Sequence, residues 1–463
     1  MFLNIVFKLN CDKTKYYRKV YIMKNNQWSS RLGFVLATAG AAIGLGNLWK
    51  FPYIMGRNGG FSFLIVYLLF IVILGLPVMM LEMSLGRYSG KNPVESYKKI
   101  NKKAGIVGFL GVFAAFVILS YYSVIGGWIL KYLFSYVTTA NAPADFAAFS
   151  ASNETVFWHF LFMASAVIIC LMGVKGIEKA SKFMMPALFI LMIIIIVRTV
   201  TLPNAVEGLK FMFVPSDNSS FTFTSISEAL GQVFYSLSLC MGITITYGSY
   251  LKKDENIPKS CAQVAVMDTA IAVLAGIAIF PAVFSFGLDV QQGPGLIFGT
   301  LPKIFSEIGG GFIFAIAFFI LVFFAAVTSA IALLEVPVSY VTQKWNIGRK
   351  KAVLGVGFAI FLLGVPSCLA TGALSGFTVA GYNFFDLMSV FTDNILLPLS
   401  GLLMCWFVGW RWEPKILANE MALGAKKFKL AKVWVFTIKY ITPILILVVT
   451  ISGFVNIYNT VTA

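Results

Sequence analysis

Long apolar runs recur along the chain and alternate with short polar stretches. A membrane-spanning helix needs roughly 20 apolar residues to cross the hydrocarbon core of a bilayer. Eleven runs reach this length, near residues 33–56, 61–85, 106–137, 155–173, 182–202, 226–250, 260–288, 310–343, 351–370, 381–409 and 433–456. The pattern therefore predicts an all-α integral membrane protein with about eleven transmembrane helices, which we call spans 1 to 11. Spans 3 and 8 are long enough to tilt or to extend beyond the bilayer.

The first span is interrupted in its middle. Gly40, Gly44 and Gly46 lie within the sequence ATAGAAIGLGNLWKFP of residues 37–52, and Asn47 follows at once. Each glycine weakens a helix by roughly 1 kcal/mol relative to alanine. Backbone groups freed by a break cannot face lipid, but they can line a cavity, where carbonyls bind a cation and amides bind an anion. A broken helix at mid-membrane is typical of an ion-coupled transporter site.

A second interruption falls in span 6. Residues 235–242 read YSLSLCMG and place Ser236, Ser238 and Gly242 in the middle of the span. One such patch is ordinarily explained by close helix packing. Two interruptions, each in the first helix of a five-span half, favour instead a 5+5 inverted repeat with the substrate site between the broken spans.

This reading divides the chain into four units. The predicted units are a flexible cytoplasmic extension at 1–23, a first five-span repeat at 24–205, a second repeat at 206–410, and span 11 with an external C-terminus at 411–463. Within the second repeat, the loop at 289–309 contains Gly293, Pro294 and Gly295. This loop is either a lid over the outer mouth or an ordinary connector.

Composition and charge agree with a membrane protein. Of the 463 residues, 59% are hydrophobic and only 12% are charged, which is about half the charged fraction of a soluble protein. The net charge of +17 reflects basic residues that concentrate in the segments predicted to be cytoplasmic, whereas the external loops hold only Arg57, Lys210 and Lys303. The positive-inside pattern places the N-terminus in the cytoplasm. The basic charge therefore needs no nucleic-acid partner.

Residues for catalysis are scarce. The six cysteines are scattered, and the single histidine, His159, has no cysteine or histidine cluster around it. Such a chain offers no nucleophile or metal set for an enzyme. We predict neither enzymatic activity nor an organic cofactor.

A few polar residues lie at membrane depth, and each has more than one interpretation. Asp268 in span 7 is protonated, paired or bound to a cation, because a bare carboxylate would be costly there. Together with Asn47 and Ser236 it offers oxygen ligands that suit a hard cation. Thr328 in span 8 either bonds to its own helix or binds a second ion. Tyr122 in span 3 either packs in the core or donates a hydrogen bond to a substrate.

Several motifs together resemble the neurotransmitter:sodium symporter family. They are RLGF at 31–34, GLGNLWKFPY at 44–53, NGG at 58–60, LEMSLGRYSG at 81–90, SLSLCMGITITYGSY at 236–250 and AAVTSAIALLE at 325–335. The resemblance covers roughly residues 24–456, and eleven spans resemble the bacterial branch. It implies a LeuT-type fold in the inner (cytoplasmic) membrane of a bacterium, alternating access, and Na⁺-coupled import of an amino acid. A homodimer in the lipid bilayer stays open.

The resemblance also implies where two sodium ions and the substrate would bind. The first sodium site would comprise Ala42, Asn47, Ser236 and Asp268. The second would comprise Gly40, Ile43, Ala325, Thr328 and Ser329. The substrate would contact Ala41, Leu45, Gly46, Ile118, Tyr122, Tyr235, Ser238, Met241, Ser329 and Leu333.

Two positions bear on selectivity. Amine transporters of this family carry an aspartate where this chain has Gly44, so the substrate is expected to bring its own carboxylate. The implied pocket is apolar, which favours a hydrophobic or aromatic L-amino acid. Asp268 provides a fixed negative charge beside the first sodium, where animal members need chloride, and so predicts chloride independence.

The implied gates depart from the family pattern. Lys50 stands where the family usually has arginine, and we expect it to face Asp386 at the outer gate. The arginine of the inner gate aligns with Asn25, and its partner aligns near Gln343. The inner gate is therefore expected to rely on Trp28 and on the hydroxyl groups of Ser249 and Tyr250.

Two other classes of transport protein remain to be weighed against a sodium symporter. A Na⁺-independent or proton-coupled amino-acid carrier could use the same fold. A channel would need a continuous polar lining, whereas the polar residues of this chain converge at one depth.

Overall fold

The structure is a computed structural model that describes residues 27–215, 221–288, 295–425 and 427–462. The extension predicted at 1–23 lies outside the described residues, as do Asn25 and the first part of the predicted lid, with Gly293 and Pro294. The rest of that loop forms a π-helical turn, Leu296–Thr300, followed by the helix Leu301–Glu307. We call this last element the lid helix.

Ten of the eleven predicted spans are present as helices long and apolar enough to cross a membrane, counted among the described residues. Nine are single helices: Phe61–Ser89, Lys102–Thr139, Glu154–Leu171, Gly173–Thr199, Ile257–Ser285, Gly311–Trp345, Arg349–Cys368, Phe384–Arg411 and Ala431–Thr462. Span 1 is the tenth and consists of Arg31–Ala42 and Gly46–Arg57, bent by 52° at the break. The segment predicted as span 6 forms two shorter helices, Phe223–Ser236 and Ile243–Gly248.

Span 5 begins earlier than its apolar run. The helix starts at Gly173, although the sequence predicts a start near residue 182. Its first turns carry Glu178 and Lys182, which form an ion pair with an N–O distance of 2.7 Å. Hydropathy detects only the membrane-embedded part of a helix, so these charged turns were missed.

Several spans contain a π-helical turn in front of a proline. Pro52, Pro77, Pro302, Pro398 and Pro443 each follow a π-helical turn by two residues. Proline lacks an N–H group, and its ring clashes with the carbonyl four residues earlier. A locally wider turn removes that clash without ending the helix. The π-helical turns are Gly46–Lys50, Ile71–Gly75, Leu296–Thr300, Thr392–Leu396, Phe407–Arg411 and Thr437–Ile441.

Shorter elements connect the spans. Beyond those already named, the connecting helices are Pro93–Lys98, Phe146–Ala151, Ala205–Phe213 and Pro414–Ala425. Before span 10, strands Thr378–Val379 and Tyr382–Asn383 form an antiparallel hairpin. Its turn residues, Ala380 and Gly381, both have positive φ angles of 54° and 80°, as a two-residue type I′ turn requires.

The two broken spans lie at the centre of the bundle. Span 1 packs against spans 5, 7 and 8, and the two halves of span 6 pack against span 2. The inner half of span 6 also contacts span 8, and span 3 packs along span 8. Outer spans instead expose apolar side chains such as Ile190 and Ile194 of span 5, which suits contact with lipid. The breaks are thus enclosed by other helices, as unpaired backbone in a membrane must be.

Candidate functional site

The break in span 1 turns backbone carbonyls away from the helix. The helix ends at Ala42, and Ile43 adopts an extended conformation with ψ of 102°. The hydroxyl of Ser329 in span 8 lies 3.4 Å from the carbonyl oxygen of Gly40 and 3.3 Å from those of Ala41 and Ile43. One hydroxyl group therefore faces three carbonyls, an arrangement rich in oxygen acceptors.

The break in span 6 has an unusual backbone. Ser238 and Cys240 adopt positive φ angles of 52° and 64°, and Gly242 has a φ of 74°. The left-handed region is unfavourable for residues other than glycine, so surrounding contacts must maintain this conformation. One such contact joins the two breaks, because the Ser238 hydroxyl donates to the Ala41 carbonyl at 3.0 Å.

A polar cluster surrounds Asp268, which is fully buried. The side-chain amide nitrogen of Asn47 lies 2.8 Å from one carboxylate oxygen of Asp268 and 3.0 Å from the Ser236 hydroxyl. Ser236 donates to the other carboxylate oxygen at 2.7 Å. The structure thus brings together three of the four residues predicted for the first sodium site, and the fourth, Ala42, lines the adjacent cavity. The carboxylate and hydroxyl oxygens of this cluster suit a hard cation, whereas the Asn47 amide oxygen accepts a hydrogen bond from the Gly44 N–H at 3.1 Å.

The residues predicted for a second sodium site also lie together. The Thr328 hydroxyl donates to the carbonyls of Phe324 and Ala325, both at 3.0 Å. This is the local bonding expected of a threonine in a helix, and it places the hydroxyl beside a predicted carbonyl ligand. A Cβ added to Gly40 would lie 3.1 Å from the Cβ of Thr328. Span 1 therefore approaches span 8 closely at this point, and every donor in the group is an oxygen.

A cavity that is partly open to its surroundings lies between the two breaks. All ten residues predicted to contact the substrate line it, together with Ala42 and Gly44. The lining comprises Ala41, Ala42, Gly44, Leu45, Gly46, Ile118, Tyr122, Tyr235, Ser238, Met241, Ser329 and Leu333. Its polar groups come mainly from backbone, hydroxyl groups and Tyr122, while Ile118, Met241 and Leu333 supply apolar surface.

Glycines in the span 1 break create room for this cavity. A Cβ at Gly44 would lie 2.6 Å from the Ser329 hydroxyl and 3.1 Å from the Tyr122 hydroxyl. A Cβ at Gly46 would lie 2.7 Å from the ring of Tyr235. A larger residue at either position would displace these neighbours. The cavity can therefore keep its shape only with glycine at Gly44 and Gly46.

Lys50, predicted to face Asp386, has a different partner in the structure. Lys50 pairs with Asp393 at 3.1 Å, not with Asp386. Asp386 instead accepts a hydrogen bond at 2.8 Å from Asn383, the residue that caps its own helix. The Lys50 ammonium also lies 4.4 Å above the ring centroid of Tyr235. The structure therefore pairs Lys50 with Asp393 rather than with Asp386, and a gating role for Lys50 stays a prediction.

On the inner side, Trp28 packs against span 6. Its indole nitrogen donates to the Tyr247 carbonyl at 3.1 Å, and the side chain is buried. The Tyr250 hydroxyl donates to Glu335 at 2.7 Å. The Ser249 hydroxyl donates to the carbonyl of Thr246, three residues earlier, at 2.7 Å.

An ion pair and an amide contact support this inner side. Arg349, at the start of span 9, pairs with Glu335 of span 8 at 2.5 Å. Gln343 accepts hydrogen bonds from the main chain and side chain of Asn92, at 2.9 Å and 2.8 Å. Gln343 therefore holds the loop after span 2 against the end of span 8.

The sequence reasoning missed two residues of the central site. The Tyr67 hydroxyl lies 3.1 Å from the Ser236 hydroxyl and 3.5 Å from Asp268. The Gln232 amide donates to the Gly46 carbonyl at 2.8 Å. Both side chains are buried. Their only signal in the sequence is a polar group within an apolar run.

Known proteins resemble this chain along most of its length. The pattern of the sodium:neurotransmitter symporter family matches residues 25–155 and 151–462. A sodium-dependent transporter of Bacillus subtilis (strain 168), described as uncharacterized, is 40% identical over 92% of this chain and 97% of its own. A sodium- and chloride-dependent GABA transporter 2 of Rattus norvegicus is 26% identical over 74% of this chain and 67% of its own.

A solved structure shares the fold. The crystal structure of MhsT in complex with L-phenylalanine superposes with a TM-score of 0.85. The two sequences are 43% identical, and the match covers 92% of this chain and 99% of the solved one.

Proposed function

Because the chain belongs to the sodium:neurotransmitter symporter family, we propose that it imports an amino acid together with sodium ions across the bacterial cytoplasmic membrane. Family membership makes it a multi-pass, sodium-dependent membrane transporter and not an enzyme. The identity of the substrate, the number of ions and the orientation of the termini belong to the proposal.

A single observation carries the amino-acid assignment. The cavity combines backbone and hydroxyl groups at two helix breaks with apolar side chains, and Gly44 leaves it without an acidic residue of its own. An amino acid matches both halves of this lining, because its carboxylate and ammonium meet the polar groups and its side chain meets the apolar ones. The 43% identical MhsT is complexed with L-phenylalanine, which supports a hydrophobic or aromatic substrate.

Two sodium ions fit the oxygen-rich groups on either side of the cavity. We assign the first to Ala42, Asn47, Ser236 and Asp268, where the substrate carboxylate would complete the shell. We assign the second to Gly40, Ile43, Ala325, Thr328 and Ser329. Each sodium ion that enters down 100 mV contributes about 2.3 kcal/mol, before its concentration term. Two ions would therefore support strong accumulation of substrate.

The two gates give the site alternating access in this proposal. Lys50 and Asp393 join span 1 to span 10 on the outside. Trp28 contacts the inner half of span 6 on the inside. We infer that spans 1, 2, 6 and 7 rock against spans 3, 4, 8 and 9. The outer contact at Lys50 would then break while the inner contact at Trp28 stays formed, and the reverse.

The deciding experiment is uptake of radiolabelled amino acids into proteoliposomes. The first pool contains leucine, tyrosine, tryptophan, methionine and phenylalanine, with an inward gradient of Na⁺ and then of K⁺ or Li⁺. Uptake that requires Na⁺ and is lost in Asn47→Ala supports the proposal. Uptake that ignores the cation would contradict sodium coupling, and absence of uptake of every pool member would contradict the proposed substrate class.

The double variant Thr328→Ala/Ser329→Ala separates this proposal from a sodium-independent or proton-coupled carrier. Hydrogen bonds to charged groups contribute about 1.5–3 kcal/mol each. Loss of two hydroxyl ligands removes about 3–6 kcal/mol in total and is therefore expected to lower the apparent sodium affinity for uptake by at least about 100-fold. The measurement is initial uptake rate against sodium concentration. An unchanged sodium dependence in the double variant would favour the alternative carrier, and Thr342→Ala, which removes a span 8 hydroxyl away from the site, is the matched control.

Replacement of external chloride by gluconate is expected to leave uptake unchanged at constant sodium. Asp268 already supplies the negative charge beside the first sodium site. Initial rates in the two media, at matched osmolarity and membrane potential, test this expectation. A collapse of uptake in gluconate would contradict it, and would direct attention to the buried hydroxyl of Tyr67 and amide of Gln232 as anion ligands.

The variants Asp393→Asn and Asp386→Asn form a matched pair for the outer gate. The Lys50–Asp393 pair is partly exposed, so it contributes at most about 1 kcal/mol. We expect Asp393→Asn to change the uptake rate by a few-fold. Asp386→Asn should behave like the unmodified protein, because Asp386 only contacts its own helix cap. A larger effect at Asp386 than at Asp393 would contradict the proposed Lys50–Asp393 gate.

A further inference from the structure

A second cavity lies at the outer ends of spans 5, 7 and 8, beneath the lid helix. It is partly open to its surroundings and shares no residue with the central cavity. Span 5 contributes Ile195 and Arg198, and span 7 contributes Ala278 and Ala282. The lid helix and the first turns of span 8 complete the lining, with Ile304 among them.

The lining of this outer cavity is almost wholly apolar. Its two polar residues are Arg198 and Thr199, and the Thr199 hydroxyl donates to the Ile196 carbonyl in its own helix at 3.2 Å. No hydroxyl is thus left to bind a polar molecule inside. Apolar cavities of this kind exclude water and accept apolar molecules. The buried part of any occupant must therefore be hydrocarbon.

The side chains beside the cavity face the lipid. Val197 is 59% exposed, and Phe312 and Ile313 at the start of span 8 are 42% and 59% exposed. Exposed apolar residues on a membrane span contact acyl chains. The hydrocarbon nearest to the cavity is consequently the membrane lipid itself.

Arg198 gives the cavity a charged rim. In the stretches that the structure describes, its guanidinium donates to the Thr201 hydroxyl at 3.2 Å, and the ion pairs found there do not include it. The external side of this chain is poor in basic residues, as the positive-inside pattern requires. A half-buried arginine with spare donors at the end of a span is well suited to bind a phosphate group.

We propose that this outer cavity binds an anionic phospholipid from the outer leaflet of the surrounding membrane. One acyl chain lies between spans 5 and 7 and the lid helix, and the phosphate pairs with Arg198. A lipid tail gains little by leaving other tails for apolar side chains, because both environments are equally apolar. Selectivity therefore resides in the headgroup contact, and the expected preference for an anionic over a zwitterionic lipid is about five- to ten-fold.

Photocrosslinking tests this site without relying on transport. The purified full chain is reconstituted into phosphatidylcholine vesicles with a trace of phosphatidylglycerol that carries a diazirine on one acyl chain. Adducts are then mapped by peptide mass spectrometry. We expect them on peptides from residues 278–282 and 301–318, with displacement by unlabelled phosphatidylglycerol at about one-fifth to one-tenth of the concentration needed with phosphatidylcholine.

Three variants make the result specific. Arg198→Gln should remove the preference for phosphatidylglycerol. Ala278→Phe should fill the cavity and abolish the adducts, whereas Val197→Phe adds the same ring on the lipid side and should retain them. Arg198→Gln changes only a half-buried side chain, so the test does not depend on the folding of Ala278→Phe. Adducts spread evenly over the lipid-facing spans would overturn the proposal, as would equal displacement by both lipids.

Discussion

Replacement of Asp268 by asparagine is expected to lower sodium-driven uptake at limiting sodium by about 100- to 1,000-fold. A unit charge about 4 Å from a cation contributes roughly 4 kcal/mol at an effective dielectric of 20, and each 1.4 kcal/mol corresponds to a factor of ten. The carboxylate lies fully buried and contacts Asn47 and Ser236. Asparagine keeps its shape and removes its charge, so the loss reports mainly on electrostatics.

The measurement is initial uptake in proteoliposomes over a range of sodium concentrations. Asp254→Asn is the matched control, because Asp254 is an exposed carboxylate outside the site and the change in charge is the same. Saturating sodium should restore part of the uptake in Asp268→Asn. Near-normal uptake at low sodium in this variant would show that Asp268 is not the charge that holds the first ion.

The variant Gly46→Ala is expected to reduce uptake by about 100-fold. The added methyl would lie 2.7 Å from the Tyr235 ring, so that the ring must move and the backbone at the break must shift. A displacement of about 1 Å in a positioned group can cost a factor of 100 in rate. Because Gly46 is also a predicted substrate contact, the affinity for the substrate should fall together with the rate.

Gly231→Ala is the control for this change. Gly231 lies in the outer half of span 6, and a Cβ there would meet no atom within 4 Å. Alanine at this position should keep uptake and stabilise the helix slightly, by roughly 1 kcal/mol. Binding of labelled substrate to the purified protein distinguishes loss of affinity from loss of transport. Equal uptake in the two variants would contradict a close contact between the breaks of spans 1 and 6.

The two helix breaks could be predicted from the sequence alone, because each depends on the residues within one span. Glycines mark the break in span 1, and small polar residues mark the one in span 6. Both breaks are present in the structure, and the cavity between them is lined by all ten residues predicted to contact a substrate. The ten positions themselves were taken from the resemblance to the family, because they lie on four different spans.

Contacts between distant helices could not be predicted in the same way. Asp386 and Asp393 are seven residues apart on span 10, so they project from nearly the same face but lie about 10 Å apart along the axis. The spacing of the two aspartates along span 10 does not show which of them lies level with Lys50 in the bundle. The structure shows that it is Asp393. The polar group of Tyr67 within an apolar run likewise does not identify its partners, because they lie on spans 6 and 7.

The ammonium group of Lys50 above the Tyr235 ring has a consequence for the range of substrates. Tyr235 lines the cavity, and the positive charge lies 4.4 Å from the centroid of its ring. A substrate with a lysine or arginine side chain would bring a second positive charge beneath this group, with only an aromatic ring between them. Like charges in a site of low dielectric repel strongly. The Lys50 ammonium above the Tyr235 ring is therefore expected to exclude basic amino acids by charge repulsion, whatever the shape of their side chains.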